Sequence, residues 1–180
     1  MERPELIKIL DRFEVPWSEW GKGGAKTVEQ LLHELNFEEV VLSIRDDRLL
    51  REVRGVIVNV FYQRDQQLLR LFESHQVFLD GTVRVREAHL IPGEKLLKGE
   101  TIEAGGRRML REELGIKTLL PLTPQKPIEK GPFISATYPG LWSKYFNSVL
   151  STSLTRDLYE PDGYIERQPD KTSFFKWEFA

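Results

Sequence analysis

The sequence predicts a single α/β or α+β sandwich, and three observations carry that expectation. Runs rich in β-branched and aromatic residues, REVRGVIVNVFYQ, QQLLRLFESHQVFLD and GTVRVREAHLI, follow one another between positions 51 and 91. One strongly helical stretch, TIEAGGRRMLREELG, comes next, and strand-like runs, LWSKYFNSVLST and KTSFFKWEF, lie behind it. A chain of 180 residues supports one sizeable core and does not stretch to two full domains.

The elements follow in order from local chemistry. Leu6, Ile7, Leu10 and Phe13 recur at helical spacing, and Pro4 suits a first helical turn. VPWSEWGKGGAK is a turn-rich connector. Thr27, with Gln30 three positions later, forms a capping box that opens a second helix through Val28, Leu31, Leu32 and Leu35. The connector's GKGGAKT fails the phosphate-loop pattern GxxxxGK[ST], because the required glycines fall on Trp20 and Ala25 and no strand leads into it. Residues 1–47 are therefore expected to form a helical extension ahead of a domain at 48–180. Its apolar stripe, with Trp17 and Trp20 as anchors, is expected to serve partner binding more than the core. Asp80-Gly81 joins two of the strand runs in a hairpin-type turn. The four prolines of KTLLPLTPQKPIEKGPFIS predict strand fragments and loop, and LTRDLYEPDGYIERQPD reads as a polar loop.

Charge and composition exclude several functions. The net charge of -2 provides no global field toward nucleic acid or an anionic bilayer. Without cysteine there is no disulfide, thiolate nucleophile or Cys-based zinc site. The N-terminal MERPELIKILDRFEVPW lacks the apolar run of a signal peptide or membrane span, so a cytoplasmic protein without direct membrane insertion is expected.

The chemistry-bearing stretch is KGETIEAGGRRMLREELGI. Thr101 suits an N-cap, Gly115 suits a left-handed C-cap, and a helix is expected to about Leu114. Arg108 and Glu112 lie one turn apart on it, as do Met109 and Glu113, and Glu100 stands just ahead. Such carboxylates supply oxygen ligands to Mg²⁺, which would carry substrate phosphates; an EE pair taken alone is ordinarily a solvated helix face. Gly105-Gly106 in mid-helix, each about 1 kcal/mol worse than alanine, predict a soft helix unless a neighbour packs closely against them. Arg84 and Arg86 alternate with valines on a strand, either as a phosphate-binding clamp or as solvated surface. His33, His75 and His89 have no metal-ligand spacing.

In register, this stretch resembles the Nudix box, G-x5-E-x7-R-E-U-x-E-E-x-G-U, through Glu100, Arg108, Leu110, Glu112, Glu113, Gly115 and Ile116. Pro92-Gly93 and Tyr138-Pro139-Gly140 also fit the family's layout. The resemblance implies a Nudix-like α/β/α sandwich with a mixed sheet, and Mg²⁺ held by Glu100, Glu112 and Glu113. The candidate catalytic residues it implies are Glu112, Glu113 and Arg108. Two positions depart from the pattern: Glu94 stands where the box has glycine, and Met109 where it has a carboxylate that binds metal or acts as base. A thioether neither binds Mg²⁺ well nor takes a proton near neutral pH. Two readings follow. One is a non-catalytic Nudix-fold binding or assembly factor with no cofactor, or with weakly bound Mg²⁺. The other is a Mg²⁺-dependent hydrolase of a nucleoside diphosphate derivative, its base supplied by Glu160 or Glu166. On the first reading, Met109→Glu is expected to raise metal affinity. The flanks WGKGGAKTVEQLLHEL, TYPGLWSKY and KTSFFKWEF resemble a group of degenerate Nudix-like proteins of oxygenic phototrophs, among them factors assisting photosystem I assembly. That resemblance implies a protein partner within a membrane complex or its assembly machinery, met at the stromal or cytosolic face of the thylakoid, and no nucleic acid.

Overall fold

Capping chemistry sets the helix starts. In the computed structural model, which describes the backbone of residues 1–180 and the side chains of residues 1–85 and 90–180, Thr27 and Gln30 exchange side-chain and backbone hydrogen bonds of 3.2 and 2.8 Å at the mouth of the second helix. The chain order is α1 (Arg3–Arg12), α2 (Val28–Asn36), β1 (Val40–Arg45), β2 (Arg48–Arg64), β3 (Gln67–Phe78), β4 (Val83–Leu90), β5 (Gly93–Lys95), α3 (Ile102–Leu114), β6 (Thr123–Ile134), β7 (Trp142–Ser153), β8 (Tyr164–Arg167) and β9 (Lys171–Phe179). The class is α/β, a large sheet with few helices, as expected. Among the described residues hydrogen-bonded neighbours run β6-β7-β2-β3-β9-β8, with β1 and β5 on β2 and β4 on β3. The Pro-rich stretch expected as fragments is the continuous strand β6, exposed along its whole length. An edge strand needs fewer N–H donors, which is why it tolerates Pro124, Pro127 and Pro132.

The chain divides into two compact units, the first comprising Met1–Gly55, Lys95–Glu100 and Pro127–Asn147. Its core gathers Leu6, Leu10, Val15, Trp20, Val28, Leu31, Val40, Leu49, Val53, Tyr138 and Leu141. Burying a Leu or Val side chain contributes roughly 1.5–3 kcal/mol, so this stripe is what α1 and α2 spend on folding. The expectation that these helices serve association more than the core is corrected here. Trp20 is a core residue, donating its indole N–H to the Pro139 carbonyl at 2.9 Å and packing on Tyr138 at 5.0 Å between ring centroids. Trp17 is half-buried, and its indole N–H donates to Asp11 at 2.6 Å. The segment expected to be purely helical also includes strand β1, whose Val40 stands opposite Val53 of β2.

Two charged groups, Glu34 and Arg51, are buried together in this unit. Glu34, on α2, accepts from Arg51 Nη2 and Nε at 2.7 and 3.1 Å, while Lys26 and Lys95 each reach its other oxygen at 2.7 Å. Burial alone would raise its carboxyl, but Arg51, Lys95 and Lys26 outweigh that and hold it down at about 2. A buried carboxylate is tolerable only with such pairing, since the desolvation of each ion costs several kcal/mol.

The second unit comprises Val56–Glu94, Thr101–Lys126 and Ser148–Ala180. Here β3 pairs antiparallel with β2 and with β9, from Leu69↔Phe179 to Phe78↔Lys171, interrupted by a bulge between Glu73 and His75. β8 adds to β9 through Tyr164↔Phe175. The sequence expectation of a polar loop over this region misses β8. Its apolar pair Tyr164-Ile165 is too short to show a period, and Pro161 and Pro169 bracket it. The hairpin turn at Asp80-Gly81 is present, with Gly81 at φ +83°. Val56, Val58, Val60, Leu71, Met109, Leu110, Leu150 and Phe175 are buried in this unit.

Candidate functional site

The helix that carries the box, α3, is built as its ends dictate. Thr101 Oγ1 accepts the Ala104 N–H at 3.2 Å, and Gly115 closes the helix in the left-handed region at φ 69°. The buried face comprises Gly105, Gly106, Met109, Leu110, Glu113 and Leu114. Of the mid-helix glycines, both buried, Gly106 is a contact point rather than a soft spot. A Cβ on Gly106 would come within 2.6 Å of a Leu150 methyl and 3.3 Å of a Leu122 methyl, so any larger residue would require Leu150 to shift.

The carboxylates divide into three environments. Glu112 is exposed and accepts from Arg108 Nη1 at 3.5 Å and from Arg111 Nη2 at 3.0 Å. Glu94, the residue standing in for the box glycine, accepts from the same Arg108 nitrogen at 2.5 Å. Its carboxyl is raised, chiefly by burial, with Glu112 and Glu166 adding to the shift and Arg108 opposing it. Glu113 is buried, and its carboxyl lies well above the ordinary range. Burial is the first cause, the charges of Glu166, Glu94 and Glu73 add to it, and Lys171 opposes. Strand β8 thus brings Glu166 to bear on α3, while Glu160 is exposed and uses its backbone carbonyl to accept the Trp177 indole N–H at 2.8 Å.

Met109 is fully buried. The position where the box calls for a carboxylate lies in the core. Glu100 belongs to the first unit, where its carboxylate accepts the Leu97 N–H at 3.0 Å and closes its own turn. Glu112 thus has its arginine partners, and Glu113 is a buried carboxyl that holds its proton more tightly than usual. Among the described residues no three His, Asp or Glu side chains gather so as to hold a metal ion. Mg²⁺ requires several anionic or carbonyl oxygens converging in octahedral geometry, and Met109 supplies none. Arg84 is exposed, with its guanidinium 4.9 Å from the centre of the Phe78 ring. The side chains of Arg86 and His89 lie outside the described residues. The Glu94–Arg108 pair escapes sequence reading because the partners are 14 positions apart; the one available signal was that an acid replaces a glycine facing the arginine of the same motif.

No protein-family model matches the chain, and no curated protein matches it. Among solved structures it is similar to the NUDIX domain of Shewanella oneidensis NrtR complexed with ADP ribose, at 18% identity over 70% of this chain and 71% of that one, TM-score 0.45. It is similar to the E. coli dihydroneopterin triphosphate pyrophosphohydrolase at 19% identity over 69% and 78%, TM-score 0.41. A Nudix hydrolase from M. smegmatis, RenU, matches at 14% identity over 69% of each chain, TM-score 0.35.

Proposed function

We propose that this chain is a non-catalytic Nudix-like protein that acts by binding another protein, as a binding or assembly factor. The observation that carries this reading is the full burial of Met109 on the face of α3 where the box requires a carboxylate. The Glu94–Arg108–Glu112 chain supports it, because the acids beside that position already have cationic partners. The flanking motifs support the narrower proposal that the partner is a membrane complex under assembly, such as photosystem I, met from the stromal or cytosolic side. Among the described residues no helix is long and apolar enough to cross a membrane, so this meeting would run through the partner.

One observation favours the hydrolase reading. Glu166 bears on Glu113 and Glu94 from β8, where a substitute base would be wanted. The test pairs affinity recovery of the tagged chain from its native cell with a phosphate-release assay on nucleoside diphosphates. Stoichiometric recovery of one complex without turnover supports the binding reading. Metal-dependent turnover within the ordinary enzyme range of roughly 1 to 10³ s⁻¹, abolished by Glu166→Gln, establishes the hydrolase.

A further inference from the structure

The second unit carries a cavity of about 570 Å³ at the far end of β9, lined by Arg64, Leu69, Tyr159, Pro161, Trp177, Glu178 and Phe179. It is separate from the box region along the same strand. Lys171, whose charge bears on Glu113, opens β9, and Trp177 and Phe179 lie six and eight residues further on. At about 3.3 Å per residue that is roughly 20 Å or more. The volume falls within the range of small-molecule sites, about 300–1,000 Å³.

The walls are aromatic and held in place. Tyr62 and Tyr159 stack at 3.7 Å with their planes 10° apart, and Tyr159 lies 5.3 Å from Trp177. The Trp177 indole N–H is already committed to the Glu160 carbonyl, so what this ring offers a ligand is its π surface. Phe179 at the rim is 69% exposed, a large ring left in water beside an apolar hollow.

Arg64 stands in the lining without an ion-pair partner among the described residues. Among the described residues, the hydrogen-bond partner of Arg64 is the neutral side-chain amide of Gln67, at 3.5 Å, and no carboxylate pairs with it. Glu178, the carboxylate of the lining, stands opposite Arg70 in the β3–β9 register, which gives it a cationic cross-strand neighbour other than Arg64. An aromatic hollow with an arginine lacking an anion selects a flat ring that carries a negative group. The ring stacks on Trp177, Tyr159 and Phe179, and the anion takes the guanidinium fork.

We propose that this cavity is a binding site for a planar aromatic anion, a class that includes aromatic carboxylates and aromatic phosphates. It is independent of the reading given to the box. The test is calorimetric titration of the full chain with 2-naphthoate, 2-naphthyl phosphate and the neutral 2-naphthalenemethanol. Both anions should bind more tightly than the alcohol, and whichever anion binds better identifies the charged group the site prefers. Arg64→Gln, at an exposed position, should weaken both anions by roughly tenfold, the worth of one charge-assisted hydrogen bond, while leaving the alcohol unchanged. Phe179→Ala should weaken all three. The proposal is overturned if the wild-type chain binds no probe at millimolar concentration, or if Arg64→Gln, with an unaltered melting temperature, binds the anions as the wild type does.

Discussion

At the scale of single residues, the position of Met109 changes what restoring the box would do. From sequence alone Met109→Glu repairs a metal site; in the structure it places a carboxylate at a fully buried position on a helix already bearing buried Glu113. We therefore expect Met109→Glu to destabilise the fold by about 3 kcal/mol or more, measured as a fall in urea midpoint, with no gain in Mg²⁺ binding by calorimetry. Unaltered stability with tighter metal binding would show that this side chain reaches the other carboxylates after all. Glu113 itself makes a pH prediction. Its carboxyl is raised in the folded chain, so between its unfolded value near 4.5 and its folded value the native state holds a proton that the unfolded state has lost. Stability from this group is undiminished below that window and falls as pH rises through it. Glu113→Gln removes the loss: denaturant midpoints should rise relative to wild type at pH 7 and converge with it near pH 4.

At the scale of elements, α3 shows why composition misjudges its glycines. Helix propensity favours Gly106→Ala by about 1 kcal/mol. The new methyl, however, would stand 2.6 Å from Leu150, itself buried, and overpacking of this kind costs about 1–3 kcal/mol. We expect the substitution to leave stability unchanged or lower it, read as a melting temperature that does not rise; a clear gain would mean Leu150 moves freely. The elements also show what was legible. The helix ends at Thr27, Thr101 and Gly115 were readable because a cap is a local hydrogen-bonding device with its own residues. Strand β8 was not, because four residues are too few to display alternation, and β6 was not, because its prolines are permitted by an edge position that only the sheet defines. At the site, the sequence revealed the missing carboxylate at 109 but not its burial. It could not show that Glu94 closes on Arg108, since that contact depends on how a loop returns to a helix.

At the scale of the whole molecule, each compact unit draws on three separated stretches of chain. The first cannot be trimmed from its N-terminus. Removing residues 1–36 takes away Leu6, Leu10, Trp20, Val28 and Leu31 together with Glu34, and leaves Arg51 without the carboxylate that balances it. Breaking a buried ion pair on one side alone costs about 3–5 kcal/mol, before the lost apolar burial is added. The first unit of the truncated chain should therefore lose its cooperative unfolding, read as a smaller circular-dichroism change across the transition than the full chain shows. A cooperative transition matching the full chain would restore the view of these helices as an appendage.

The outermost strand has a consequence for life in a crowded solution. β6 leaves Ile128, Phe133 and Ile134 facing water along a stretch that would otherwise invite a second molecule to zip on. Pro124, Pro127 and Pro132 have no N–H to offer an incoming backbone, and Lys126, Glu129 and Lys130 put a hydrated charge between the apolar positions. Growth of a fibre requires an unbroken ladder of donors repeated from chain to chain. Here the ladder has missing rungs, so the margin of the sheet carries its greasy side chains without becoming a seed.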